Sequence, residues 1–280
     1  MSEDKQEDAA PPPCRGQNAM KISLITVCYN SAATIRTCFD SVLAQKGAEV
    51  EYIVVDGGST DGTVETIKEY SARSARFARL SFKWISEPDK GMYDAINKGV
   101  KMATGDVVGI LNADDMLESP GTLAKVAEAF NRAECAACVY ADVRFVKDDL
   151  ETTVRYYSAK RWRPWMLQWG YMPPHPSVYI KRSLFDRYGL YKLGYDIAAD
   201  YELLIRYLRV AQVETRYVGE SLVRMRLGGK STRGWHSFWV LNREIVRGNR
   251  ENGYFCCFPM LLPKYLFKVF EFILPKLGMR

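Results

Sequence analysis

The chain has 280 residues, of which 48% are hydrophobic and 26% are charged. This composition predicts a globular protein with a substantial core, and it excludes a disordered, collagen-like or fibrous chain. The formal net charge of +6 does not require a nucleic-acid partner, although it suits a phosphate-bearing substrate or an anionic membrane surface. No run of about 18 apolar residues is present, so no transmembrane helix is predicted.

Two hydrophobic periodicities alternate over the first half of the chain. Short apolar runs rich in β-branched residues predict strands, and apolar residues three and four positions apart predict helices. This alternation predicts a mainly parallel sheet with helices on both faces, in which ligands bind beyond the carboxyl ends of the strands. In chain order the predicted segments are strand 22–28, helix 33–43, strand 52–55, helix 63–70, strand 82–85, helix 92–102, strand 107–111, helix 123–130 and strand 138–145.

The periodicity is lost over residues 150–195, which are rich in Trp, Tyr, Arg and Pro. Core filling is the expected role of most of these aromatic residues, and stacking on sugars is the alternative. Helices are predicted again over 196–209, 235–250 and 263–274, with a strand over 213–218. The aromatic residues in question are Trp162, Trp165, Trp169 and Tyr171.

Seven cysteines are scattered along the chain, and nothing resembles a secretory signal peptide. A reducing compartment is therefore expected. Cys135 and Cys138 form one CxxC, but the two histidines, His175 and His236, lie too far apart in sequence to supply a second zinc-ligand pair. We therefore expect the two cysteines to be small buried thiols.

Polar residues that follow the first two predicted strands are candidate ligand-binding residues. Tyr29 and Asn30 can frame a nucleobase, but taken alone they favour a polar turn in which Asn30 or Ser31 caps the next helix. Asp56 precedes two glycines that let a ligand approach the backbone closely, and its carboxylate can accept an N–H from a base. Ser59 and Asp61 are expected to cap the following helix instead.

The acidic pair Asp114 and Asp115 follows the fourth predicted strand. Adjacent carboxylates repel each other and lose solvation when buried, and a divalent cation usually offsets that cost. Oxygen ligands favour Mg²⁺ or Mn²⁺ over zinc. A solvated acidic turn is the alternative.

Two nucleotide-binding motifs are absent. No GxGxxG follows the first strand, which disfavours a dinucleotide-binding oxidoreductase. The segment Gly-Gly-Lys-Ser-Thr at 228–232 imitates the end of a P-loop, but Arg224 stands where the leading glycine is required. We therefore reject a Walker motif.

The strand ends, taken together and in this order, resemble the family 2 glycosyltransferases with the GT-A fold, and most of all the bacterial members that build surface polysaccharides and O-antigens. The resemblance covers about residues 21–210. It implies a GT-A domain over 21–220, with a nucleotide-binding half at 21–118 and an acceptor half at 119–220, followed by a helical extension over 221–280. The stretches that carry it are ISLITVCYNSAATI, YIVVDGGSTDGT, ISEPDKGMYDAINKG, ATGD, ILNADD and IAADYELLIRY.

The resemblance also implies roles for individual residues. A nucleotide-sugar, usually a UDP-sugar in this family, would lie among the strand-end residues, and Asp115 would bind a Mn²⁺ or Mg²⁺ ion on the diphosphate. His175 lies in a proline-rich loop; a structural role is expected, with contact to the diphosphate, metal or acceptor as the alternative. The residues assigned to the nucleotide-sugar are Tyr29, Asn30, Asp56, Asp89, Lys90 and Asp114.

Asp200 matches the acidic position of the family's catalytic base. The family often has Glu-Asp there, whereas this chain has Ala199-Asp200. Asp196 and Glu202 are nearby competitors; Asp196 falls one helical turn before Asp200, and both competitors are expected on a solvated helix surface.

One base without an enzyme nucleophile implies an inverting, metal-dependent transfer of a hexose or N-acetylhexosamine. The QxxRW element of processive synthases is missing, which argues for one sugar per acceptor. The expected acceptor is a saccharide or a polyprenyl-diphosphate-linked saccharide. A non-catalytic sugar-nucleotide-binding scaffold is the alternative function, and a nucleotidyltransferase is disfavoured because residues 29–34 lack a glycine- and arginine-rich loop.

The two termini carry further expectations. Residues 1–20 are polar and proline-rich, which predicts a disordered tail, with Met20 as an alternative start. Residues 255–277 resemble an interfacial membrane anchor, with packing on the domain or at a homodimer interface as the alternative. The expected location is the cytoplasm, peripheral at the inner face of the bacterial plasma membrane. The polar stripe of this segment consists of Lys264, Lys268 and Glu271.

Overall fold

The computed structural model describes residues 20–133, 135–227 and 234–265. In the first part of the chain, strands and helices follow the predicted alternation, and their ends differ from the predicted ones by a few residues. The elements there are β1 (Lys21–Cys28), α1 (Ile35–Leu43), β2 (Glu49–Asp56), α2 (Thr63–Ser74), β3 (Leu80–Ser86), α3 (Met92–Met102), β4 (Val107–Ile110), β5 (Met116–Leu117), α4 (Thr122–Arg132) and β6 (Cys138–Val146).

The second part contains short elements that periodicity does not reveal. The helix predicted over 196–209 begins only at Ala199, because the amides of the three preceding residues bind Glu244 of a later helix. It ends in a π-helical segment over Ile205–Val210. The elements are β7 (Thr153–Tyr157), 3-10 turns at Pro164–Trp169 and His175–Ser177, β8 (Tyr179–Lys181), α5 (Ser183–Tyr188), α6 (Ala199–Leu204), β9 (Thr215–Arg226), α7 (Gly234–Glu251) and a 3-10 turn at Phe258–Leu261.

One mixed, mainly parallel sheet joins these strands in the order β3-β2-β1-β4-β8-β6-β9-β5, with β7 paired to β6. β1 runs parallel to β2 and β4, β2 to β3, and β6 to β9. β8 is antiparallel to both of its neighbours, and β5 is antiparallel to β9. The predicted fold class is therefore confirmed in its mixed, mainly parallel form.

The core lies on both faces of the sheet because successive strand residues point to opposite faces. In β1, Leu24 packs among residues of α1 and α2, whereas Ile25 packs among residues of α3. Full burial of such a side chain stabilises the fold by about 1.5–3 kcal/mol. Helix α7 packs against α6 on the α3 side of the sheet. Both halves of the chain are thereby fixed to the same sheet.

Several predictions concern residues outside the described ranges. These are the N-terminal tail over 1–19, the P-loop-like segment over 228–232 and the C-terminal helix beyond residue 265. Within 20–133, 135–227 and 234–265, no helix is long and apolar enough to cross a membrane. The expectation for the CxxC is half correct, because Cys138 is buried but Cys135 is exposed.

Candidate active site

The carboxyl ends of β1, β2 and β3 meet in register, with Cys28 beside Asp56 and Asp56 beside Ser86. Asp56 is completely buried, and its Oδ2 accepts hydrogen bonds from Gly58 N at 3.1 Å, Ser59 N at 2.9 Å and Ser86 Oγ at 2.6 Å. Burial alone would raise its pKa, but the bonds from Ser59 and Ser86 hold the pKa below its ordinary value. Asp56 is therefore an ionised anchor for the glycine turn, and its contact with a base stays a prediction.

Above that anchor, Tyr29 and Asp89 pack closely on Gly57, and we name these three residues the notch. A Cβ added to Gly57 would lie 2.5 Å from Asp89 Oδ2 and 3.4 Å from Tyr29 Cδ2, so only a glycine fits there without a shift of Asp89. Gly91 N donates to Asp89 Oδ1 at 2.7 Å, which fixes the carboxylate, and the Tyr29 ring is exposed. Lys90 is exposed beside it. The structure thus brings together four residues predicted to line a nucleotide pocket or to flank it.

Asn30 links the two loops that border this notch. Its backbone has φ +48°, its N–H donates to Ser59 Oγ at 2.8 Å, and its Oδ1 accepts from Thr60 N at 3.0 Å. Gly62, not Asp61, is the N-cap of α2, but Asp61 Oδ1 accepts from Thr63 N at 3.1 Å and so binds the first amide of the helix from one residue earlier. The capping expectations for Asn30 and Ser59 are wrong, because both side chains are used between the loops.

The acidic pair is not a solvated turn. Asp115 is only 2% exposed, and its Oδ2 accepts from Asn112 Nδ2 at 2.7 Å while its Oδ1 accepts from Arg226 N at 3.3 Å. Burial and the neighbouring charge of Asp114 raise the pKa of Asp115 to about 8. Arg226 Nε also donates to the Asp114 carbonyl at 3.1 Å. A buried carboxylate that resists ionisation suits a cation that would neutralise it.

The described part of the chain does not supply a complete set of protein ligands for that cation. Among those residues, no group of three or more His, Cys, Asp and Glu side chains is arranged to hold a metal ion. A magnesium-like ion is commonly held by one or two carboxylates together with phosphate oxygens of the substrate. Asp114 and Asp115 fit that arrangement.

Asp200 lies in the first turn of α6 and faces a cluster of aromatic groups and a histidine. Its Oδ1 accepts from Tyr201 N at 2.8 Å and lies 3.2 Å from the Tyr93 hydroxyl, and its Oδ2 lies 4.0 Å from His175 Nδ1. The Asp200 side chain is 19% exposed and the His175 ring 14%. His175 Nε2 lies 2.9 Å from the Tyr191 hydroxyl. A carboxylate held this way and still reachable from solvent can accept a proton.

The histidine in this cluster is held in its neutral form. Burial lowers the pKa of His175 below its ordinary value of 6.5, and the carboxylate of Asp200 offsets only part of that effect. A neutral ring has one nitrogen that donates and one that accepts, so it can orient a hydroxyl beside Asp200. The contact with Tyr191 agrees with the structural role expected for His175, and its contact with a diphosphate, metal or acceptor stays a prediction.

The two competing carboxylates are excluded on geometric grounds. Glu202 is completely buried and ion-paired to Arg206 at 3.0 Å and Lys192 at 2.9 Å, so its expected place on a solvated surface is wrong. Asp196 is exposed as expected, but it precedes α6 and does not share a helical face with Asp200. Of the three candidates, Asp200 alone is both oriented by hydrogen bonds and open to solvent.

The aromatic region divides into a buried and an exposed part. Trp162 is buried, stacks edge-on against Tyr140 at 5.0 Å and donates from Nε1 to the Tyr171 carbonyl, so its predicted core role is confirmed. Trp165 and Trp169 are exposed, so the core-filling prediction is wrong for them.

Sequence reasoning missed three residues that shape the site, namely Tyr93, Tyr191 and Arg226. Tyr93 lies in the stretch KGMYDAINKG, where its place in the first turn after β3 was the available signal. Arg226 reaches the acidic pair only because β9 pairs with β5. That pairing joins distant parts of the chain, so local sequence contains no signal for it.

Comparison with known proteins decides the class. Residues 23–188, more than half of the chain, match the family model described as Glycosyl transferase family 2. The chain belongs to glycosyltransferase family 2. This glycosyltransferase is 32% identical over 200 residues to a PGL/p-HBAD biosynthesis glycosyltransferase of Mycobacterium bovis, which covers 71% of this chain and 74% of that protein. The same figures hold for a protein of that name in Mycobacterium tuberculosis.

Solved structures show that the glycosyltransferase has the GT-A fold. Staphylococcus aureus TarS 1-349 in complex with UDP-GlcNAc superposes with a TM-score of 0.63 and 18% identity over 82% of this chain and 66% of that one, slightly less than two thirds. A mannosyltransferase from Pyrobaculum calidifontis in complex with GDP-Man and Mn²⁺ superposes with a TM-score of 0.62 and 21% identity over 89% of this chain and 67% of that one. Identities this low establish the fold and leave the substrate open.

Proposed function

We propose that this glycosyltransferase moves a hexose or N-acetylhexosamine from a nucleotide-sugar, expected to be a UDP-sugar, to a hydroxyl of a saccharide or lipid-linked saccharide. The observation that carries the proposal is the contact between the Tyr93 hydroxyl and Asp200 Oδ1. Tyr93 lies in the first turn of α3, shortly after the Asp89 loop, so this contact supports a base close to the sheet edge that holds the notch.

Similarity supports a nucleotide-sugar donor without fixing its base. One neighbour with the same fold contains UDP-GlcNAc, and another contains GDP-Man and Mn²⁺. In this chain, the exposed ring of Tyr29 lies beside Gly57 and Asp89 and is available for contact with a base. The ionised Asp56 beneath it fixes the turn that forms the floor.

Asp115, with Asp114 beside it, would hold a Mn²⁺ or Mg²⁺ ion. When bound, such an ion neutralises the charge that develops on a leaving diphosphate. The chain's own contribution is to bury Asp115 and to fix its two oxygens through Asn112 and Arg226. The raised pKa of Asp115 is the cost of that burial, and it is relieved by a cation.

Asp200 would act as the general base. As the acceptor oxygen bonds to the anomeric carbon, the bond from that carbon to the diphosphate breaks, and the hydroxyl proton passes to Asp200. The Tyr201 N–H holds the carboxylate in a fixed direction, and the Tyr93 hydroxyl contacts the same oxygen. A single carboxylate on the acceptor side leaves no nucleophile of the enzyme on the path, so the proposed outcome is inversion at the anomeric carbon.

A second surface supports a lipid-linked acceptor and peripheral attachment to a membrane. Aromatic side chains of α7 and of the following turn form an exposed cluster, in which Trp239 contacts Phe258 at 5.6 Å and Trp235, 81% exposed, contacts Phe238 at 6.1 Å. Leu262 is exposed next to the turn. Aromatic side chains favour the interface of a bilayer. Within the extension over 221–280, α7 and the turn that follows it are thus proposed as the membrane-facing part, with a homodimer interface as the competing occupant.

Thermal melting with nucleotides tests the donor site. The protein is melted with UDP, GDP and dTDP, each with Mn²⁺ and with EDTA, because a ligand that binds only the folded state raises the melting temperature. A rise with UDP that requires metal and disappears in Asp115→Ala supports the proposal. A metal-dependent rise with GDP or dTDP changes the expected base. No rise with any nucleotide contradicts the proposal and leaves the scaffold alternative.

A further inference from the structure

Glu244 is a buried acid of α7 that the proposed mechanism does not use. It is 7% exposed, and it accepts hydrogen bonds from three consecutive backbone amides of the loop before α6. Its Oε1 accepts from Asp196 N at 2.6 Å, and its Oε2 accepts from Ile197 N at 2.9 Å and from Ala198 N at 2.8 Å. A buried carboxylate requires such partners, and here all of them belong to one loop.

The loop depends on Glu244 because it cannot satisfy these amides itself. The N-cap residue of α6 is Ala198, so the amides of residues 196–198 lie at or before the start of the helix and have no partner within it. Ala198 has no polar side chain that could supply an acceptor locally. Glu244 supplies the acceptor from a helix 46 residues further along the chain.

The same face of α7 also holds the chain just before this loop. Arg247 donates to the Gly194 carbonyl at 2.9 Å and lies over the ring of Tyr195 at 4.4 Å. Glu251 accepts from the Tyr195 hydroxyl at 2.9 Å. Residues 244, 247 and 251 lie three and four positions apart, so they point from one side of the helix.

The loop is held from its other side as well. The Tyr93 hydroxyl donates to the Ile197 carbonyl, so the peptide groups around Ile197 are bound by α7 through their N–H and by α3 through their C=O. Asp200 follows two residues after Ala198, in the first turn that this loop starts. The direction of its carboxylate is therefore set by the position of the loop.

We propose that Glu244 is a positioning residue, which clamps residues 196–198 so that the carboxylate of Asp200 faces His175 and the incoming acceptor. The inference rests on the proposed role of Asp200 as the base. By this proposal, α7 affects the transfer reaction through the position of Asp200, in addition to packing against the rest of the fold. Without this clamp, we expect the carboxylate of Asp200 to point in a wrong direction. A displacement of a catalytic group by about 1 Å is enough to slow a reaction by about 100-fold.

The pKa of His175 reports on the position of the Asp200 carboxylate, and it can be measured without a substrate. The chain has two histidines, and Asp200 Oδ2 is 4.0 Å from His175 Nδ1 and raises its pKa. The pKa of His175 is measured by NMR in the wild type, Asp200→Asn and Glu244→Gln. We expect both substitutions to lower it, because each removes the carboxylate from the ring. An unchanged value in folded Glu244→Gln overturns the proposal.

Two further variants separate positioning from loss of charge. Glu251→Gln removes a negative charge from the same helix face and touches Tyr195 but none of the amides of residues 196–198, so it should change the pKa of His175 less than Glu244→Gln does. Glu244→Asp keeps the charge but shortens the reach by one methylene, so it must lower the pKa as Glu244→Gln does. A drop in Glu244→Gln that Glu244→Asp does not share would mean that charge alone acts, and it would overturn the proposal.

Amide hydrogen exchange on the wild type needs no variant. The amides of 196–198 should exchange as slowly as those of α6, whereas exchange at the rate of an exposed loop contradicts the clamp.

An activity measurement completes the test. The rate of diphosphate release is measured with UDP-GlcNAc, or with the nucleotide-sugar whose base passes the melting test. It should fall about tenfold or more in Glu244→Gln with nucleotide binding retained, and it should fall less in Glu251→Gln. If Asp200→Asn keeps the wild-type rate, the proposed function fails, and the NMR result still decides on Glu244. If Asp200→Asn is inactive and Glu244→Gln is fully active, only the inference about Glu244 fails.

Discussion

The hydroxyl of Tyr93 lies 3.2 Å from Oδ1 of Asp200, although the two residues are 107 positions apart. Tyr93 belongs to the helix that follows the nucleotide-side strands, and Asp200 belongs to the helix that follows the aromatic region. The same hydroxyl donates to the Ile197 carbonyl. One side chain therefore ties the candidate base to the half of the fold that carries the notch.

Removal of that hydroxyl should slow transfer without weakening nucleotide binding. Tyr93→Phe keeps the ring that stacks on Tyr191 at 5.9 Å but removes the contact with the Asp200 carboxylate. The hydroxyl has one proton, which it donates to the Ile197 carbonyl, so the loss is that of an ordinary hydrogen bond of about 0.5–1.5 kcal/mol, and we expect diphosphate release to fall about 2- to 10-fold.

Tyr179→Phe is the matched control for this prediction. Tyr179 is buried, and its hydroxyl has no hydrogen-bond partner among the described residues. Its removal should leave the rate unchanged and the melting temperature equal or slightly higher. Equal rates for Tyr93→Phe and Tyr179→Phe would contradict a role for the Tyr93 hydroxyl.

Asp115→Asn should stabilise the metal-free protein while abolishing the effect of metal. The substitution removes a buried carboxylate whose ionisation is opposed by burial and by Asp114. We expect the melting temperature in EDTA at pH 7.5 to rise by about 2–4 °C for each kcal/mol that the substitution adds to the free energy of unfolding. The additional rise that Mn²⁺ gives with nucleotide should vanish. A variant that is less stable in EDTA but still responds to Mn²⁺ would contradict the assignment.

Gly57→Ala should weaken nucleotide binding and cost little stability. The new methyl group would lie 2.5 Å from Asp89 Oδ2, at the end of a side chain that can rotate away. Rotation would break the bond from Gly91 N and change the shape of the notch. Gly219→Ala is the control, since a Cβ there meets no atom within 4 Å. Titration with the nucleotide selected by melting checks the result, and equal affinities would argue against the notch as the base site.

Folding stability should fall as the pH drops below about 6.5, through His175. Its pKa is lower in the folded protein than the ordinary 6.5, so the unfolded chain binds more protons between these two values and is favoured there. Above 6.5 the ring is neutral in both states and contributes no pH dependence. Asp115, whose pKa is raised to about 8, contributes a slope of opposite sign, and that contribution is common to the wild type and His175→Gln. Urea unfolding between pH 5 and pH 8 should therefore show a difference between the two proteins that appears below about pH 6.5 and has the sign expected for His175. Identical slopes would show that His175 does not carry the effect.

The ends of the parallel strands could be predicted because the sequence patterns that mark them involve only neighbouring residues. Each short apolar run followed by polar residues predicts where a parallel strand ends, and the register then brings Cys28, Asp56 and Ser86 together. Asp200 was predictable only through the resemblance to the family, since one acidic residue on a helix has many ordinary roles. The clamp by Glu244 was not predictable, because it depends on how α7 packs against the loop before α6.

Glu202 shows why one prediction, its place on a solvated helix surface, was wrong. A polar residue beside Asp200, with Arg206 four positions later, has the local pattern of a solvated helix face. Its burial is made favourable by Lys192 and Asn252, which come from other parts of the chain. Partners that are distant in sequence decide whether a charge is solvated or buried, so helical spacing alone gave the wrong environment.

The central claim is that Asp200 accepts the acceptor proton during transfer from a nucleotide-sugar. The most direct measurement is the rate of diphosphate release by Asp200→Asn compared with the wild type, on the nucleotide-sugar whose diphosphate gives the metal-dependent rise in melting temperature. General-base catalysis contributes about 10²–10⁴-fold, so the account predicts a loss of at least about 100-fold with the melting shift retained. A wild-type rate in a variant that still binds nucleotide would contradict it.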